Sequence, residues 1–344
     1  MEEKVIIIAE AGVNHNGEME KAVEMIKVAK DAGADYVKFQ TAVPELVISS
    51  IAPKAEYQKE TTGKEESQLE MCRAIHLPLE AYKELKAICE REGIGFLSTP
   101  FDLRSIEVLE ELDMDYFKIP SGEITNLPYL RAIAACGRKV IMSTGMSTLD
   151  EVKTALEVLT GTSTEYPTKS TLKKEDITLL HCNTQYPTPY SDVNLRAMTE
   201  MGDKLGVKVG YSDHTKGLEI PVAAIGCGAR VIEKHFTLSR DLPGPDHKAS
   251  LEPKELKEMV TMIRHAEEAL GKTTKEVTGS ERPNIEIARK SIVASKAIKK
   301  GEPLTEDNIT VKRPGNGISP MEWDKVIGTA AIRDFDYDSL IEIE

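Results

Sequence analysis

The stretch VIIIAEAGVNHNGEMEKAVEMIKVAKDAGADYVKFQT, residues 5–41, predicts a strand, a helix and a second strand in succession. Residues 5–9 are a short run of β-branched and small apolar residues, and residues 36–39 are a second, mostly apolar run. Between them, apolar residues recur at helical spacing on one face and stop before Gly33, a residue type that commonly ends helices. The stretch therefore predicts alternation of strand and helix.

The same alternation continues through residues 1–270. The eight predicted strands are residues 5–9, 36–39, 95–98, 116–119, 140–143, 177–180, 207–210 and 230–233. This number of strand–helix units is typical of one α/β fold, the (β/α)8 TIM barrel. A doubly wound open sheet is the alternative, but such a sheet usually has a GxGxxG loop after its first strand, and residues 10–17 do not match that pattern.

Composition divides the chain into three predicted segments. Residues 1–270 form the barrel, the polar residues 271–284 lack apolar periodicity and predict a linker, and residues 285–344 predict a small domain of short strands and turns. Within the barrel, residues 41–78 predict one long loop after the second strand. In a barrel this loop lies on the catalytic face.

Charge and cysteine content exclude several classes of protein. The 344 residues include 44 basic and 57 acidic side chains, a net charge of −13, whereas nucleic-acid-binding domains are usually basic. No apolar run is long enough for a membrane span, and the acidic N-terminus lacks the features of a signal peptide. The five cysteines are widely spaced without a CxxC pair, which indicates reduced thiols in a cytoplasmic protein. We therefore expect no nucleic-acid or membrane partner.

Polar residues follow every predicted strand, and in a barrel these strand ends meet at one rim, where the active site lies. Eight polar strand ends together indicate a polar ligand. The candidate residues at these ends are Glu10, Lys38, Gln40, Ser98, Thr99, Lys118, Ser121, Glu123, Ser143, Thr144, His181, Thr184, Tyr186, Ser212, Asp213, His214, Glu233 and His235.

Lys38 and Lys118 stand inside otherwise apolar strand patterns. Buried lysines need an opposite charge to offset the loss of hydration. Three explanations are open: ion pairs with the glutamates of the rim, a pocket for phosphate or carboxylate to which the rim serines add donors, or a Schiff-base lysine as in class I aldolases.

His214 and His235 end adjacent predicted strands, close enough to share a metal ion. Two histidines with carboxylates and water nearby suit an octahedral divalent cation better than structural zinc, although a lone barrel histidine is more often a hydrogen-bonded core residue.

After the last strand, residues 241–247 (DLPGPDH) predict a rigid turn at the rim. Asp246 in this turn either binds sugar hydroxyls or only stabilises the turn.

Motifs spread over the whole chain resemble those of the bacterial sialic acid synthase family. They are AEAGVNHNG (9–17), VKFQT (37–41), STPFD (98–102), FKIPSGE (117–123), STGM (143–146), HCNTQYPTPYSDVNL (181–195), GYSDHT (210–215), EKHFT (233–237), PGPDH (243–247) and VKRPGNGISP (311–320). The last motif resembles the small C-terminal domain of that family, which is similar to type III antifreeze protein. The resemblance implies a TIM barrel followed by this antifreeze-like (SAF) domain.

The resemblance also implies an enzyme. Its expected reaction condenses phosphoenolpyruvate with the open-chain aldehyde of N-acetylmannosamine, with C–O cleavage, to give N-acetylneuraminate and phosphate. One alternative is an N,N′-diacetyllegionaminate synthase that uses 2,4-diacetamido-2,4,6-trideoxymannose, and another is an inactive sugar-binding module. A divalent metal, manganese with magnesium or cobalt as alternatives, and a domain-swapped homodimer are further expectations.

Roles for individual residues follow from the same resemblance. His214 and His235 are expected as metal ligands. The expected acid/base or water-positioning residues are Glu10, Glu123 and Glu233. The expected substrate-binding residues are Lys38, Gln40, Lys118, Ser121, Ser143, Thr184, Tyr186, Ser212, Asp246 and Arg313, of which the last reaches the sugar N-acetyl group across the dimer. The order of Asn183 and Thr184 departs from that of some members, which leaves open which of the two contacts phosphate.

Overall fold

The computed structural model describes residues 4–54 and 67–343. The chain divides into two compact units, Met1–Gly271 and Lys272–Glu344. Among the described residues, no helix is both long enough and apolar enough to cross a bilayer.

Eight parallel strands form the centre of the first unit, one for each run predicted from the sequence. They are β1 (Ile6–Gly12), β2 (Tyr36–Thr41), β3 (Gly95–Pro100), β4 (Phe117–Ile119), β5 (Val140–Ser143), β6 (Ile177–His181), β7 (Lys208–Asp213) and β8 (Val231–His235). Hydrogen bonds join them in the order β3-β2-β1-β8-β7-β6-β5-β4, and β3 packs beside β4. The predicted (β/α)8 barrel is therefore confirmed, and the open doubly wound sheet is wrong.

Helices, most of them amphipathic, surround the barrel. They are α1 (Met19–Ala32), α2 (Pro44–Val47), α3 (Gln68–Ile75), α4 (Ala81–Glu92), α5 (Leu103–Glu110), α6 (Leu127–Cys136), α7 (Leu149–Leu159), α8 (Leu195–Leu205), α9 (Glu219–Gly226) and α10 (Pro253–Leu270). The predicted end of the first helix is confirmed: Gly33 has φ of 86°, and its N–H bonds the carbonyl oxygens of Ala29 and Lys30. A side chain would strain this left-handed backbone.

The segment after β2, predicted as one long loop, contains the helices α2 and α3. Ser67 begins α3 with a capping box, in which its hydroxyl accepts the Glu70 N–H at 3.2 Å and the Glu70 carboxylate accepts the Ser67 N–H at 2.9 Å. Residues 55–66, also within the predicted loop, lie outside the described residues. The sequence did not predict these helices because each is too short for a clear periodic pattern.

Two apolar layers stabilise the barrel. Inside it, Ile8, Leu97, Ile141, Leu180 and Val231 pack together, and a larger layer lies between the strands and the helices. Because side chains alternate along a strand, Glu10 shares a face with Ile8 and lies nearer the carboxyl end of β1. The interior of the barrel therefore changes from apolar to charged towards the carboxyl ends of its strands.

The second unit contains an antiparallel pair of short strands, as expected for a small β-rich domain. β9 (Ser291–Ala294) pairs with β10 (Ile309–Lys312), and two short helices accompany them, α11 (Asn284–Ala288) and α12 (Trp323–Val326). Its separate apolar core consists of Ile292, Ala294, Ile298, Leu304, Ile309, Val326, Ala331, Phe335 and Ile341.

Candidate active site

A cavity of about 330 Å³ opens at the carboxyl ends of the barrel strands. Each of the eight strands, or the turn directly after it, contributes a side chain to its wall. The candidates from the sequence that line it are Glu10, Lys38, Gln40, Thr99, Lys118, Ser121, Ser143, Thr184, Tyr186, Ser212, His214, Glu233, His235 and Asp246. The rim predicted from the strand ends is therefore one continuous site.

Glu123 does not line this cavity. Glu123 ends the 3₁₀ turn Ser121–Glu123, and its carboxylate accepts a hydrogen bond from Asn126 Nδ2 at 2.6 Å. Arg313 lies in the second unit, where its exposed side chain donates through Nε to the Ala288 carbonyl oxygen at 3.1 Å. The expected roles of these two residues stay predictions.

Thr184, and not Asn183, presents its side chain to the cavity. The Asn183 Oδ1 instead accepts the N–H of Gln185 at 2.7 Å and closes a local turn. Thr184 is therefore the better candidate for contact with a ligand.

Four buried charges face the cavity, and we call Glu10, Lys38, Lys118 and Glu233 the cavity cluster. Lys38 Nζ lies 2.6 Å from Glu10 Oε2 and 3.6 Å from Glu233 Oε2, and Lys118 Nζ lies 3.7 Å from Glu233 Oε1. The ion pairs that were one explanation of the lysines are thus present. Glu10 Oε2 and Glu233 Oε2 nevertheless receive no well-directed hydrogen bond, so the cluster retains polar capacity towards the cavity.

Hydroxyl groups from neighbouring strands hold three members of the cavity cluster. The hydrogen bonds run from Lys38 Nζ to Thr99 Oγ1 at 3.0 Å, from Lys118 Nζ to Ser143 Oγ at 2.7 Å, and from Ser212 Oγ to Glu233 Oε1 at 2.9 Å. Thr99 was predicted from the sequence at the end of the third strand, but without a role. Its hydrogen bond to Lys38 now gives it one.

The two carboxyl groups of the cavity cluster have opposite pKa shifts. Burial raises the pKa of Glu10 to about 7; the charge of Lys38 opposes this shift, and the charge of Glu233 adds to it. Burial alone would also raise the pKa of Glu233, but the charges of Lys118 and Lys38 lower it to about 2. Glu10 can therefore exchange a proton near neutral pH while Glu233 stays ionised, a division typical of acid/base sites.

The two lysines of the cavity cluster also differ. Burial opposes the charge of Lys38, but the carboxylates of Glu10 and Glu233 outweigh burial and raise its pKa. Burial lowers the pKa of Lys118, and the attraction of Glu233 does not offset it. A Schiff-base nucleophile must be a neutral amine, so Lys38, which is held in its charged form, suits an anion better than a carbonyl carbon.

His214 directly follows β7 and His235 is the last residue of β8, and their ring centroids are 5.5 Å apart. His214 Nδ1 donates to the carbonyl oxygen of Asn183, so Nε2 has the lone pair and lies 3.0 Å from the Tyr186 hydroxyl. His235 Nδ1 is buried without a hydrogen-bond partner. Burial lowers the pKa of His214 to about 4 and that of His235 well below its usual range, so both rings are neutral at physiological pH.

These two histidines have the chemistry of metal ligands. Neutral imidazole is the form that binds metal ions, and a backbone carbonyl on the second ring nitrogen is a usual support for a ligating histidine. Within the part of the chain that the structure describes, no group of three or more His, Cys, Asp or Glu side chains is arranged to hold a metal. The pair therefore fits a cation that completes its coordination with water and substrate oxygens.

Asp246 lies in the turn after β8 and lines the cavity. A side chain at Gly244 would approach the His247 ring to 2.7 Å, so this turn requires glycine. Asp246 makes no capping hydrogen bond to the following turn, His247–Ala249, and burial raises its pKa to about 6. The side chain of Asp246 therefore does not act as a cap for the turn, and its carboxyl group is available to a ligand.

Five apolar residues line the cavity beside the polar Gln68 and His76. They are Val47 and Ile48 at the end of α2, Met71 and Ile75 in α3, and Phe101 after β3, and we call these five residues the apolar wall. Most of these five residues were not predicted from the sequence, because α2 and α3 were predicted as loop.

Matches to known families agree with this arrangement. Residues 25–275 match the NeuB family, and residues 289–342 match the SAF domain. The chain belongs to the NeuB family. The resemblance to sialic acid synthases with a C-terminal SAF domain is therefore confirmed.

Two relatives are similar to this chain over most of their length. The chain is 52% identical over 338 residues to the N,N′-diacetyllegionaminic acid synthase of Campylobacter jejuni, which covers 98% of this chain and 99% of that protein. It is 43% identical to the N,N′-diacetyllegionaminic acid synthase of Legionella pneumophila, over 94% of this chain and 89% of that protein.

Solved structures show the same fold. The crystal structure of an N-acetylneuraminic acid synthetase from Leptospira borgpetersenii in complex with citrate superposes with a TM-score of 0.69 at 35% identity, over 82% of this chain and 90% of that one.

Proposed function

We propose that the protein condenses phosphoenolpyruvate with 2,4-diacetamido-2,4,6-trideoxymannose and produces N,N′-diacetyllegionaminate and phosphate. The observation that carries this proposal is the 52% identity, over almost the whole of both chains, to a Campylobacter jejuni protein named for that product. N-acetylmannosamine, the acceptor expected first from the motifs, is the second candidate. The 35% identical structure from Leptospira, an N-acetylneuraminic acid synthetase, favours it.

The apolar wall supports the choice of acceptor. The proposed sugar has a methyl group at C6 and an acetamido group at C4, where N-acetylmannosamine has hydroxyl groups. Each buried methyl or methylene group gains roughly 0.8 kcal/mol by leaving water. Packing of these groups against Val47, Met71 or Phe101 would therefore favour the deoxy sugar.

The cations of the cavity suit phosphoenolpyruvate, which has a phosphate and a carboxylate. The chain has a net charge of −13, yet two buried lysines, Lys38 and Lys118, line this cavity. Ser143 and Ser121 add hydroxyl groups to the same wall. We assign these residues to the anionic groups of phosphoenolpyruvate.

We assign His214 and His235 to a divalent cation, manganese first, with magnesium or cobalt as alternatives. Their neutral rings and the unpartnered Nδ1 of His235 support the assignment. When bound, the cation would supply Lewis-acid polarisation of the sugar aldehyde.

The residues of the cavity cluster perform the remaining chemistry in this proposal. The enol carbon C3 of phosphoenolpyruvate forms a bond to the aldehyde carbon, and the aldehyde oxygen takes the C=O π electrons and a proton. Water then adds to the cationic C2 and loses one proton, and the remaining proton of the C2 hydroxyl leaves as the bond from C2 to the phosphate oxygen breaks. Glu10, with its pKa of about 7, moves protons in these steps. The departing phosphate takes the electrons of the C–O bond, and Lys38 and Lys118 stabilise its charge.

Glu123 has a less direct place in this scheme, since its carboxylate is hydrogen-bonded to Asn126 and does not line the cavity. Its role in aligning water stays a prediction.

The cytoplasmic location and the swapped homodimer also stay predictions. In that dimer, Arg313 of one copy would reach the N-acetyl group of the sugar in another. The exposed position of Arg313 supports that last proposal.

A comparison of the two sugars tests the proposed acceptor. The purified protein is assayed with phosphoenolpyruvate and Mn²⁺, and kcat/KM is measured for each sugar with the product identified by mass spectrometry. We expect the diacetamido sugar to be favoured about 10-fold or more, since one methyl group in an apolar pocket discriminates roughly 10- to 200-fold. Equal or better use of N-acetylmannosamine would support the second candidate, and no condensation with either sugar would refute both.

Matched variants of Val47 test the contribution of the apolar wall. Val47→Thr introduces a hydroxyl with little change of shape, whereas Val47→Ile keeps the wall apolar. We expect only the threonine variant to reduce the preference for the diacetamido sugar.

A further inference from the structure

A second pair of buried charges lies directly behind the two histidines. Lys234 stands between Glu233 and His235 in β8, and Asp213 immediately precedes His214. Lys234 Nζ bonds the Asp213 carboxylate, and both side chains are completely buried. Neither residue lines the cavity, because alternation along β8 turns Lys234 away from the face that Glu233 and His235 share. We call Asp213 and Lys234 the closed pair.

The closed pair holds the residues on both sides of His214 in place. Asp213 Oδ1 accepts the N–H of Thr215 at 3.0 Å, and Oδ2 accepts the Thr215 hydroxyl at 3.0 Å. Lys234 Nζ donates to the Thr215 carbonyl oxygen at 2.8 Å. The residues before and after His214 are therefore both attached to Lys234, which is the residue next to His235.

The same contacts join the ends of two strands. Asp213 and Lys234 are the last registered pair between β7 and β8. One ion pair thus spans the two strands at the point where each delivers a histidine to the cavity. A displacement of either strand end would change the separation of the His214 and His235 rings, which is now 5.5 Å between centroids.

Stability alone does not explain a pair of this kind. Burial removes both charges from water, and an apolar pair of similar volume is often as stable as a buried ion pair. An apolar pair, however, lacks the directed hydrogen bonds that bind Thr215. What the ion pair supplies beyond stability is a fixed geometry of the backbone around His214 and His235.

We propose that Asp213 and Lys234 are positioning residues that set the spacing and orientation of His214 and His235 for a shared divalent cation. The inference rests on the metal role given to these histidines in the proposed function. It assigns no contact with metal or substrate to the closed pair.

The test is Mn²⁺ affinity of the full-length protein freed of metal, measured without substrates by calorimetry and electron paramagnetic resonance. In Asp213→Leu/Lys234→Met, apolar side chains of similar length replace both charges. We expect the double variant to fold with a melting temperature close to that of the parent and to bind Mn²⁺ about 10- to 100-fold more weakly, the usual effect of removing support from metal ligands. An unchanged Mn²⁺ dissociation constant in this folded variant would overturn the proposal.

Arg264→Met is the matched control. Arg264 forms an ion pair with Asp35 at 2.6 Å and donates to the Val5 carbonyl oxygen, at the opposite end of the barrel from the histidines. We expect this variant to melt at a lower temperature and to keep the parent Mn²⁺ affinity. A loss of affinity equal to that of the double variant would mean that general destabilisation is the cause, and the proposal would fail.

Two further results separate this inference from the proposed function. If the parent protein binds no Mn²⁺, the metal assignment itself fails and the positioning role fails with it. If the parent binds Mn²⁺ but the double variant does not fold, Asp213→Asn replaces it, since asparagine keeps an acceptor for the Thr215 N–H and removes the charge. Weaker Mn²⁺ binding by Asp213→Asn supports the proposal, and parent affinity refutes it.

Discussion

The barrel contains two groups of buried charges a few residues apart, and they differ in how their polar atoms are used. In the cavity cluster, two carboxylate oxygens receive no well-directed hydrogen bond and the side chains line a cavity. In the closed pair, the carboxylate and the ammonium group are hydrogen-bonded to each other and to Thr215, away from the cavity.

This difference separates a site for a ligand from a structural support. A buried charge that the protein does not fully compensate destabilises the fold. Such a charge therefore indicates a site for a ligand or a catalytic role. A fully hydrogen-bonded pair needs no ligand. The pKa of Lys118 is lowered by burial, which shows that its ammonium group is poorly compensated within the protein.

Removal of a histidine next to the cavity cluster is expected to have the largest effect. His235→Ala should bind Mn²⁺ far more weakly and reduce kcat by at least about 10³-fold, since a Lewis-acid cation supplies several kcal/mol of transition-state stabilisation. His265→Ala, an exposed histidine in α10, is the control and should retain full activity. Full activity of His235→Ala after treatment with a chelator would refute the metal assignment.

One substitution made in both regions tests the comparison directly. Lys118→Met should reduce kcat/KM for phosphoenolpyruvate about 10- to 100-fold, as expected for the loss of a hydrogen bond to a charged group, without loss of thermal stability. Lys234→Met should lower the free energy of unfolding by about 3–5 kcal/mol, because it leaves Asp213 buried and unpaired. Urea denaturation of both variants measures the contrast, and equal destabilisation would remove the distinction between the two regions.

The pH dependence of stability should change in Glu10→Gln. The pKa of Glu10 is raised from 4.5 to about 7 in the folded protein, so between these pH values the folded state holds a proton that the unfolded state has lost. This contribution favours the folded state at low pH and is lost as the pH rises from about 4.5 to 7. With about 1.4 kcal/mol for each pKa unit, Glu10→Gln should remove a decline on the order of 3–4 kcal/mol across this range. Denaturation at a series of pH values measures it, and an unchanged decline would place the proton elsewhere.

Arg313 belongs to neither group of charges, so its replacement should have the smallest effect. Arg313→Ala should raise the KM for the sugar about 10-fold, the loss of one charged hydrogen bond, and leave the KM for phosphoenolpyruvate nearly unchanged. Arg289→Ala, in the same unit, serves as the control. Steady-state kinetics with each substrate varied would show whether the sugar KM responds; an unchanged value would exclude contact between Arg313 and the acceptor.

The fold was predictable from sequence because strand–helix alternation repeats eight times. An error of one or two residues at the end of a predicted strand does not change the number of strands. The run 116–119, for example, corresponds to β4 (Phe117–Ile119). The rim was predictable for a geometric reason, since a barrel brings all carboxyl strand ends together. The prediction that Lys38 and Glu233 lie on barrel strands, close to the polar strand ends, was therefore enough to place them in one site.

The energetics of the site were not predictable in this way. Glu10 and Glu233 are the same residue type on adjacent strands, and their pKa values diverge because Glu233 lies near two lysines whereas Glu10 has one close partner. Lys234 lies within a motif whose neighbouring residues were assigned roles, but its pairing with Asp213 depends on the register between β7 and β8. Distances and register of this kind exist only in the folded chain.

Phosphate release from phosphoenolpyruvate tests the central claim most directly. The purified protein is incubated with phosphoenolpyruvate in four arms, with and without 2,4-diacetamido-2,4,6-trideoxymannose and with Mn²⁺ or a chelator, and inorganic phosphate is measured over time. We predict release only when the sugar and Mn²⁺ are both present, with one phosphate formed for each nine-carbon product. Release that continues undiminished in the chelator, or no release in any arm, would contradict the account.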